Sequence, residues 1–288
     1  GLGGQGDMYE YARQYALLVI VLGGLPTVLS NVLCNLVRSI GLSKEASAGI
    51  ILGGLLNMAL DPLFMFVLLP KGSEVMGAGI ATCLSNCVAM LFFIIVLLRL
   101  GKNSILTFSL RTGFPQKSNI LAVFGVGIPS AIASLLFDLD YVIIDKLMVS
   151  YHDVALAAIG IVLKVERFPL NVGIGICQGM MPLVAYNYAS RNEKRMNDTM
   201  RLSCVLGLGI AGISILLYEL FATQFAGLFI GDAQTVALAS DFLRVRVLAT
   251  PLMFLSFFTG YLFQAFGKGR ISLFLGVTRW LVFNIPML

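Results

Sequence analysis

The sequence predicts an all-α polytopic membrane protein, organised as two pseudo-symmetric six-helix bundles of which eight spans are present here. Three observations carry this. Hydrophobic residues make up 58% of the 288 positions and charged ones only 12%, roughly half the charged share of a soluble domain. The apolar residues gather into runs near the ~20 residues that a helix needs to cross a bilayer. A set of proline and glycine landmarks also recurs at a nearly constant interval of 224 to 226 residues.

The spans are expected at 11–36, 47–69, 78–98, 120–149, 154–184, 201–222, 236–264 and 271–288. Every connection but one is short. The exception, 99–118, is polar and basic with Gly113 and Pro115, and reads as a cytoplasmic linker between an amino-terminal lobe (1–98) and a carboxy-terminal lobe (119–288). Bases set the orientation. Twelve fall on one face: Arg38, Lys44, Arg99, Lys102, Arg111, Lys117, Arg191, Lys194, Arg195, Arg201, Lys268 and Arg270. The other face has at most five (Arg13, Lys71, Lys146, Arg244, Arg246), so the first face is assigned to the cytoplasm.

Span by span, prolines mark expected kinks at Pro26, Pro62, Pro129, Pro169 and Pro251, because each removes a backbone donor from its helix. Pro26 is matched by Pro251 at 225 residues, Gly41 by Gly267 at 226, and Pro62 by Pro286 at 224. In the second span Asp61-Pro62 reads as a kink and cap or as a substrate contact, with Asn57 four residues earlier on the same face. Five cysteines lie in apolar runs and read as packing residues.

The stretch Phe137–Asn187 places seven charges in or beside apolar segments: Asp138, Asp140, Asp145, Lys146, Lys164, Glu166 and Arg167. Charges inside a bilayer are costly, and they usually line a cavity or an ion path. Folding the two arms about Tyr151-His152 brings position 138 level with about 165, from equal rise along each arm. Asp138, Asp140 and Glu166 then face Lys164 and Arg167, leaving one carboxylate in surplus for a proton, a metal cation or a cationic substrate. A purely structural ion-pair network is the alternative. Pro169 frees the Val165 carbonyl beside these charges as a further acceptor for sodium. Tyr141, one turn from Asp138, is the aromatic expected in the cavity, and Asn171, Gln178 and Met181 complete the candidate surface.

Gly173-Ile174-Gly175 with Gly179 has no preceding strand and lies within a span, so it reads as close helix packing and not as a nucleotide loop. A nucleophile with a positioned base is missing: the one histidine, His152, sits in a turn. An enzyme is therefore not expected.

Leu36 to Gly41 (LVRSIG), Asn57 to Phe64 (NMALDPLF), Gly77 to Thr82, Gly127-Ile128-Pro129, Pro182 to Asn187, Phe263 to Lys268, and Arg279 before Ile285-Pro286 together resemble the multidrug and toxic compound extrusion (MATE) transporters. The resemblance covers nearly the whole chain. It implies a V-shaped pair of six-helix bundles that exports organic cations in exchange for protons or sodium, with no other cofactor. Asp138, Asp140 and Glu166 would by position fill the role of coupling carboxylates. A lipid-linked saccharide flippase of the same superfamily is the alternative, mildly favoured by Lys164 and Arg167. Trp280 departs from the glutamine that the family often has after this arginine. Small organic molecules and the lipid bilayer are the expected partners, nucleic acid is not, and a bacterial cell membrane is the expected location. Repeat symmetry further implies about 105 residues upstream and about 35 downstream, giving twelve spans and a protein of about 430 residues. The complete protein is expected to be a monomer, and the 288-residue chain alone to export nothing.

Overall fold

The computed structural model describes residues 7–70, 72–100, 115–149 and 153–284. Lys71, most of the linker, Tyr151-His152 and Ile285-Pro286 lie outside the described residues, as do the side chains of Asp140 and Asp145. Ten α-helices occur among the described residues: α1 Asp7–Ala16, α2 Gly24–Ser39, α3 Ser43–Pro62, α4 Glu74–Leu100, α5 Lys117–Val149, α6 Asp153–Ala189, α7 Glu193–Gly227, α8 Ala233–Val247, α9 Thr250–Ala265 and α10 Gly269–Thr278. π-helical turns extend α1 (Leu17–Leu22), α3 (Leu63–Leu68) and α10 (Arg279–Asn284). The chain divides into two compact units, Gly1–Thr112 and Gly113–Leu288.

Among the described residues, five helical segments are long and apolar enough to cross a membrane, and two bent pairs qualify if each pair is one span. The expected spans 11–36 and 236–264 are each such a bent pair, turned by 48° close to the kinks expected at Pro26 and Pro251. At the first bend the Gly23 amide donates five residues back to the Leu18 carbonyl at 2.8 Å. Pro26, in the first turn of α2, has no amide to give Leu22. A Cβ on Gly23 would lie 2.8 Å from the Val19 carbonyl oxygen, so the break needs glycine. The second bend has Pro251 in the same role, in the first turn of α9. The eighth expected span is seen as α10 and its π-turn, and its end lies outside the described residues.

The repeat extends to boundaries and turns. α2 and α9 begin and end 226 residues apart (Gly24 to Thr250, Ser39 to Ala265), and α3 and α10 begin 226 apart (Ser43 to Gly269). Gly41 and Gly267, also 226 apart, both have positive φ, at 90° and 70°. Each closes its helix with the same ladder: Leu42 amide to Val37 carbonyl at 3.2 Å, and Lys268 amide to Phe263 carbonyl at 2.8 Å.

In the first unit α2, α3 and α4 close on Leu33, Cys34, Val37, Ala46 and Phe93. Asn57, half-buried, reaches Asp61 Oδ1 at 3.3 Å and Thr82 Oγ1 of α4 at 3.4 Å. Asn57 thus bridges α3 to α4 and bonds Asp61 within α3. The expected kink at Pro62 takes the form of the π-helical turn that follows it.

In the second unit α6 is central. Its first half packs Ala158, Val162 and Val165 against Tyr218 and Ala222 of α7 and Leu243 and Val247 of α8. Its second half packs Cys177, Met180 and Val184 against Phe254 and Phe258 of α9. Gly173 seats the Phe254 ring, while Gly175 and Gly179 have open space beside them, so only part of the glycine run serves close packing. α5 and α6 run through Pro129 and Pro169 as single helices, without the breaks seen at Gly23 and before Thr250.

Candidate functional site

A cavity of about 190 Å³ opens in the second unit, between α5, α6, α9 and the α10 segment. α5 supplies Ser130, Ser134, Phe137 and Asp138, at successive intervals of four, three and one residues, and α9 supplies Ser256, Phe257, Tyr261 and Gln264. The α10 segment adds Ser272 and, from its π-turn, Arg279. Small residues at Ala133, Gly260 and Gly276 leave the space: a Cβ on Gly276 would already lie 3.2 Å from that of Ala133.

The polar wall is joined across helices. Ser130 Oγ donates to Gln264 Oε1 at 3.3 Å, and Gln264 Nε2 donates to Ser272 Oγ at 3.2 Å. The Arg279 guanidinium lies 5.4 Å from the Phe137 ring centroid and 5.5 Å from that of Phe257, and donates to Ser256 Oγ at 3.4 Å. The two rings meet edge to face at 5.1 Å. Such stacking fixes the orientation of the guanidinium. The cavity wall therefore holds the Arg279 guanidinium, an exposed carboxylate in Asp138, and several hydroxyl and amide groups.

The structure does not gather the expected charge cluster. Glu166 is 2% exposed and is engaged by Arg246 of α8, whose Nε donates to Oε2 at 2.7 Å and Nη2 to Oε1 at 3.2 Å. This two-point geometry is the strong form of an arginine–carboxylate contact. Lys164 and Arg167 are both exposed. The Arg167 guanidinium sits 4.7 Å above the Tyr141 ring. Tyr141 in turn meets Phe137 edge to face at 5.2 Å, and it packs on the α6–α7–α8 core, not in the cavity. The reason is angular. Equal depth says nothing of facing, and two residues along a helix turn the side chain by about 200°, so Lys164 and Glu166 look opposite ways.

The Val165 carbonyl freed by Pro169 is not the open acceptor that was expected: the Tyr218 hydroxyl donates to it at 3.0 Å. Of the other candidates, Gln178 is half-buried and reaches the Tyr261 hydroxyl, a cavity residue, at 3.5 Å. Met181 is half-buried and Asn171 exposed, both outside the cavity wall. Trp280 is half-buried and likewise not a lining residue. Asn57 and Asp61 belong to the first unit. No group of three or more metal-ligating side chains occurs among the described residues.

Sequence reasoning missed Arg246, Arg279, Gln264 and Ser130 as site-forming groups. Arg246 had a usable signal. It falls inside the apolar run 236–264, where an unexplained base asks for a buried acid.

Comparison with known proteins is consistent from one end of the chain to the other. The MatE family model matches residues 129–288. The whole chain is 31% identical over 288 residues to the "Multidrug export protein MepA" of Staphylococcus saprophyticus, covering 62% of that protein. It is 31% identical over 284 residues to the protein of the same name from Staphylococcus haemolyticus, covering 98% of this chain and 61% of the relative. The chain thus spans about three-fifths of the length of the curated relatives it matches. Among solved structures, the outward-facing conformation of a multidrug resistance MATE family transporter of the MOP superfamily superposes with a TM-score of 0.88 at 25% identity, covering 98% of this chain and 62% of that one. The crystal structure of MATE in complex with MaL6 gives a TM-score of 0.87 over 97% of this chain and 62% of that one; at 24% identity it shows the fold alone.

Proposed function

The chain belongs to the MatE family, a multi-pass membrane family, and on that premise we propose that it forms the larger part of a secondary exporter in a bacterial cell membrane. The exporter carries organic cations outward in exchange for protons or sodium. The observation that carries this reading is the cavity of the second unit, with Asp138 exposed on its wall while Glu166 is already neutralised by Arg246. Of the two expected coupling acids with described side chains, Asp138 is the one on a cavity wall.

Asp138 holds a proton, a sodium ion or a cationic substrate, one at a time. Occupancy by the coupling ion displaces the substrate, and occupancy by the substrate displaces the ion, so exchange follows from competition at one negative site. Arg279, stacked against two rings, bounds that site on one side. The Ser130–Gln264–Ser272 chain offers hydrogen bonds to a bound molecule. The flippase alternative gains nothing from the relatives, which are named multidrug export proteins.

The test uses the full-length protein reconstituted in liposomes with an imposed proton or sodium gradient and a fluorescent cationic dye. Asp138→Asn abolishes gradient-driven export, whereas Lys164→Gln, on the exposed face of α6, does not. Export at the parental rate by Asp138→Asn moves the coupling site elsewhere.

A further inference from the structure

A second cleft, of about 510 Å³, lies where the α9–α10 turn meets the beginning of α5. Leu121, Gly125 and Val126 wall one side of it, and Lys268, Arg270 and Ile271 the other. Its geometry is fixed by glycine. Gly267, at φ 70°, reverses the chain between α9 and α10. Gly269 is packed so closely on α5 that a Cβ would collide with the Gly125 carbonyl and lie 2.8 Å from the Val126 Cα.

Chemically the cleft has two parts. Its walls are apolar and open outward, with Leu121 61% exposed and Ile271 39% exposed. Its rim carries Lys268 and Arg270, both exposed and neither in an ion pair among the described residues. Lys117, one helical turn before Leu121, shares the helix face of that leucine and adds a third base to the same end of α5. Unpaired cations beside an apolar trough are complementary to a phosphate that carries an acyl chain. This end of the unit lies on the face that the base count assigns to the cytoplasm, where the inner leaflet presents anionic headgroups.

We propose that this cleft binds an anionic phospholipid of the inner leaflet, its phosphate held between Lys268 and Arg270 and one acyl chain laid along Leu121, Val126 and Ile271. The glycine-lined turn lets the headgroup approach the backbone. The proposal stands apart from what the protein transports, since it uses none of the residues of the α5–α9–α10 cavity.

The test is native mass spectrometry of the purified protein with phosphatidylglycerol or phosphatidylcholine added in equal amounts. The parent retains phosphatidylglycerol in preference to phosphatidylcholine. Lys268→Gln with Arg270→Gln weakens that retention roughly thirty-fold, from about 1 kcal/mol for each base near the surface. Lys194→Gln with Arg195→Gln removes two bases from the start of α7, assigned to the same face, and leaves retention unchanged. Lys268→Arg also preserves it. Inorganic phosphate at matched ionic strength does not displace the lipid. Should the double variant at 268 and 270 lose its thermal transition, Ala122→Trp fills the cleft with every charge intact, and retention must still fall. Equal losses in the two double variants, no preference between the lipids, or displacement by phosphate alone each overturn the assignment.

Discussion

Glu166 and Asp138 stand on consecutive helices of one unit, both within apolar sequence, and their surroundings are opposite. Glu166 has both oxygens on one guanidinium and 2% of its surface exposed. Asp138 is exposed at a cavity whose fixed cation is stacked on aromatic rings. The first acid joins α6 to α8 just before the 48° bend into α9, and serves as a brace. The second makes no ion pair among the described residues. A carboxylate in a membrane helix is therefore not functional by its location alone; what neutralises it decides.

The brace should fail hardest. Glu166→Gln leaves the Arg246 guanidinium without its counter-ion. Removing one member of a buried pair costs about 3–5 kcal/mol, and about 3 is expected here because Arg246 keeps a quarter of its side chain exposed. Thermal unfolding in detergent, followed by circular dichroism, should show a large fall in midpoint. Glu166→Gln combined with Arg246→Met should recover most of it, since no orphaned charge remains. A single variant that melts with the parent would remove the distinction between the two acids.

An uncharged control in the same unit separates electrostatics from packing. Gly207 of α7 lies against the Phe254 ring, and a Cβ there would overlap the ring atoms. Gly207→Ala should cost about 1–3 kcal/mol by overpacking, and Phe254→Leu in the same chain should relieve part of it. If Gly207→Ala were neutral, the α7–α9 contact would be looser than the buried Phe254 indicates.

Tyr218→Phe comes next. It deletes the hydroxyl that serves the Val165 carbonyl, one residue from the brace, and should cost about 1 kcal/mol, the usual net worth of one hydrogen bond. The same pairing shows why sequence could not locate the sodium acceptor expected at Val165. Pro169 does withhold its amide, but the replacement donor is Tyr218, 53 positions beyond Val165. Long-range supply of this kind leaves no local signature.

Much of the fold was legible. α6 was expected at 154–184 and runs Asp153–Ala189, because an apolar run bounded by a polar turn at each end fixes a span closely. The repeat was legible from three landmarks, since glycine and proline report backbone conformation directly. The site was legible only in depth. Equal rise along two arms placed Asp138 and Glu166 at one level, but the side each faces depends on where α8 and α9 pack, which the antiparallel arithmetic did not contain. Arg246 was counted with the outer loops, although its position in the middle of an apolar run marked it as buried. Arg279 appeared only as a family landmark, and the Phe137–Phe257 pair that holds it becomes visible only once α5 and α9 are side by side.

The smallest effect on stability should come from the residue proposed to matter most for transport. Asp138→Asn removes a charge from an exposed side chain that makes no ion pair among the described residues. The amide has nearly the same shape, and surface substitutions away from special features usually stay within about 0.5 kcal/mol. The unfolding midpoint in detergent should therefore match the parent, while binding of a cationic dye to the purified protein, followed by fluorescence anisotropy, should lose its pH or sodium dependence. Both readings are needed. A matching midpoint with unchanged ion-dependent dye binding would leave Asp138 as a spectator on the cavity wall, and a midpoint as low as that of Glu166→Gln would make it a second brace. Only a stable protein that has lost its ion response keeps the two acids in the separate roles that their partners assign to them.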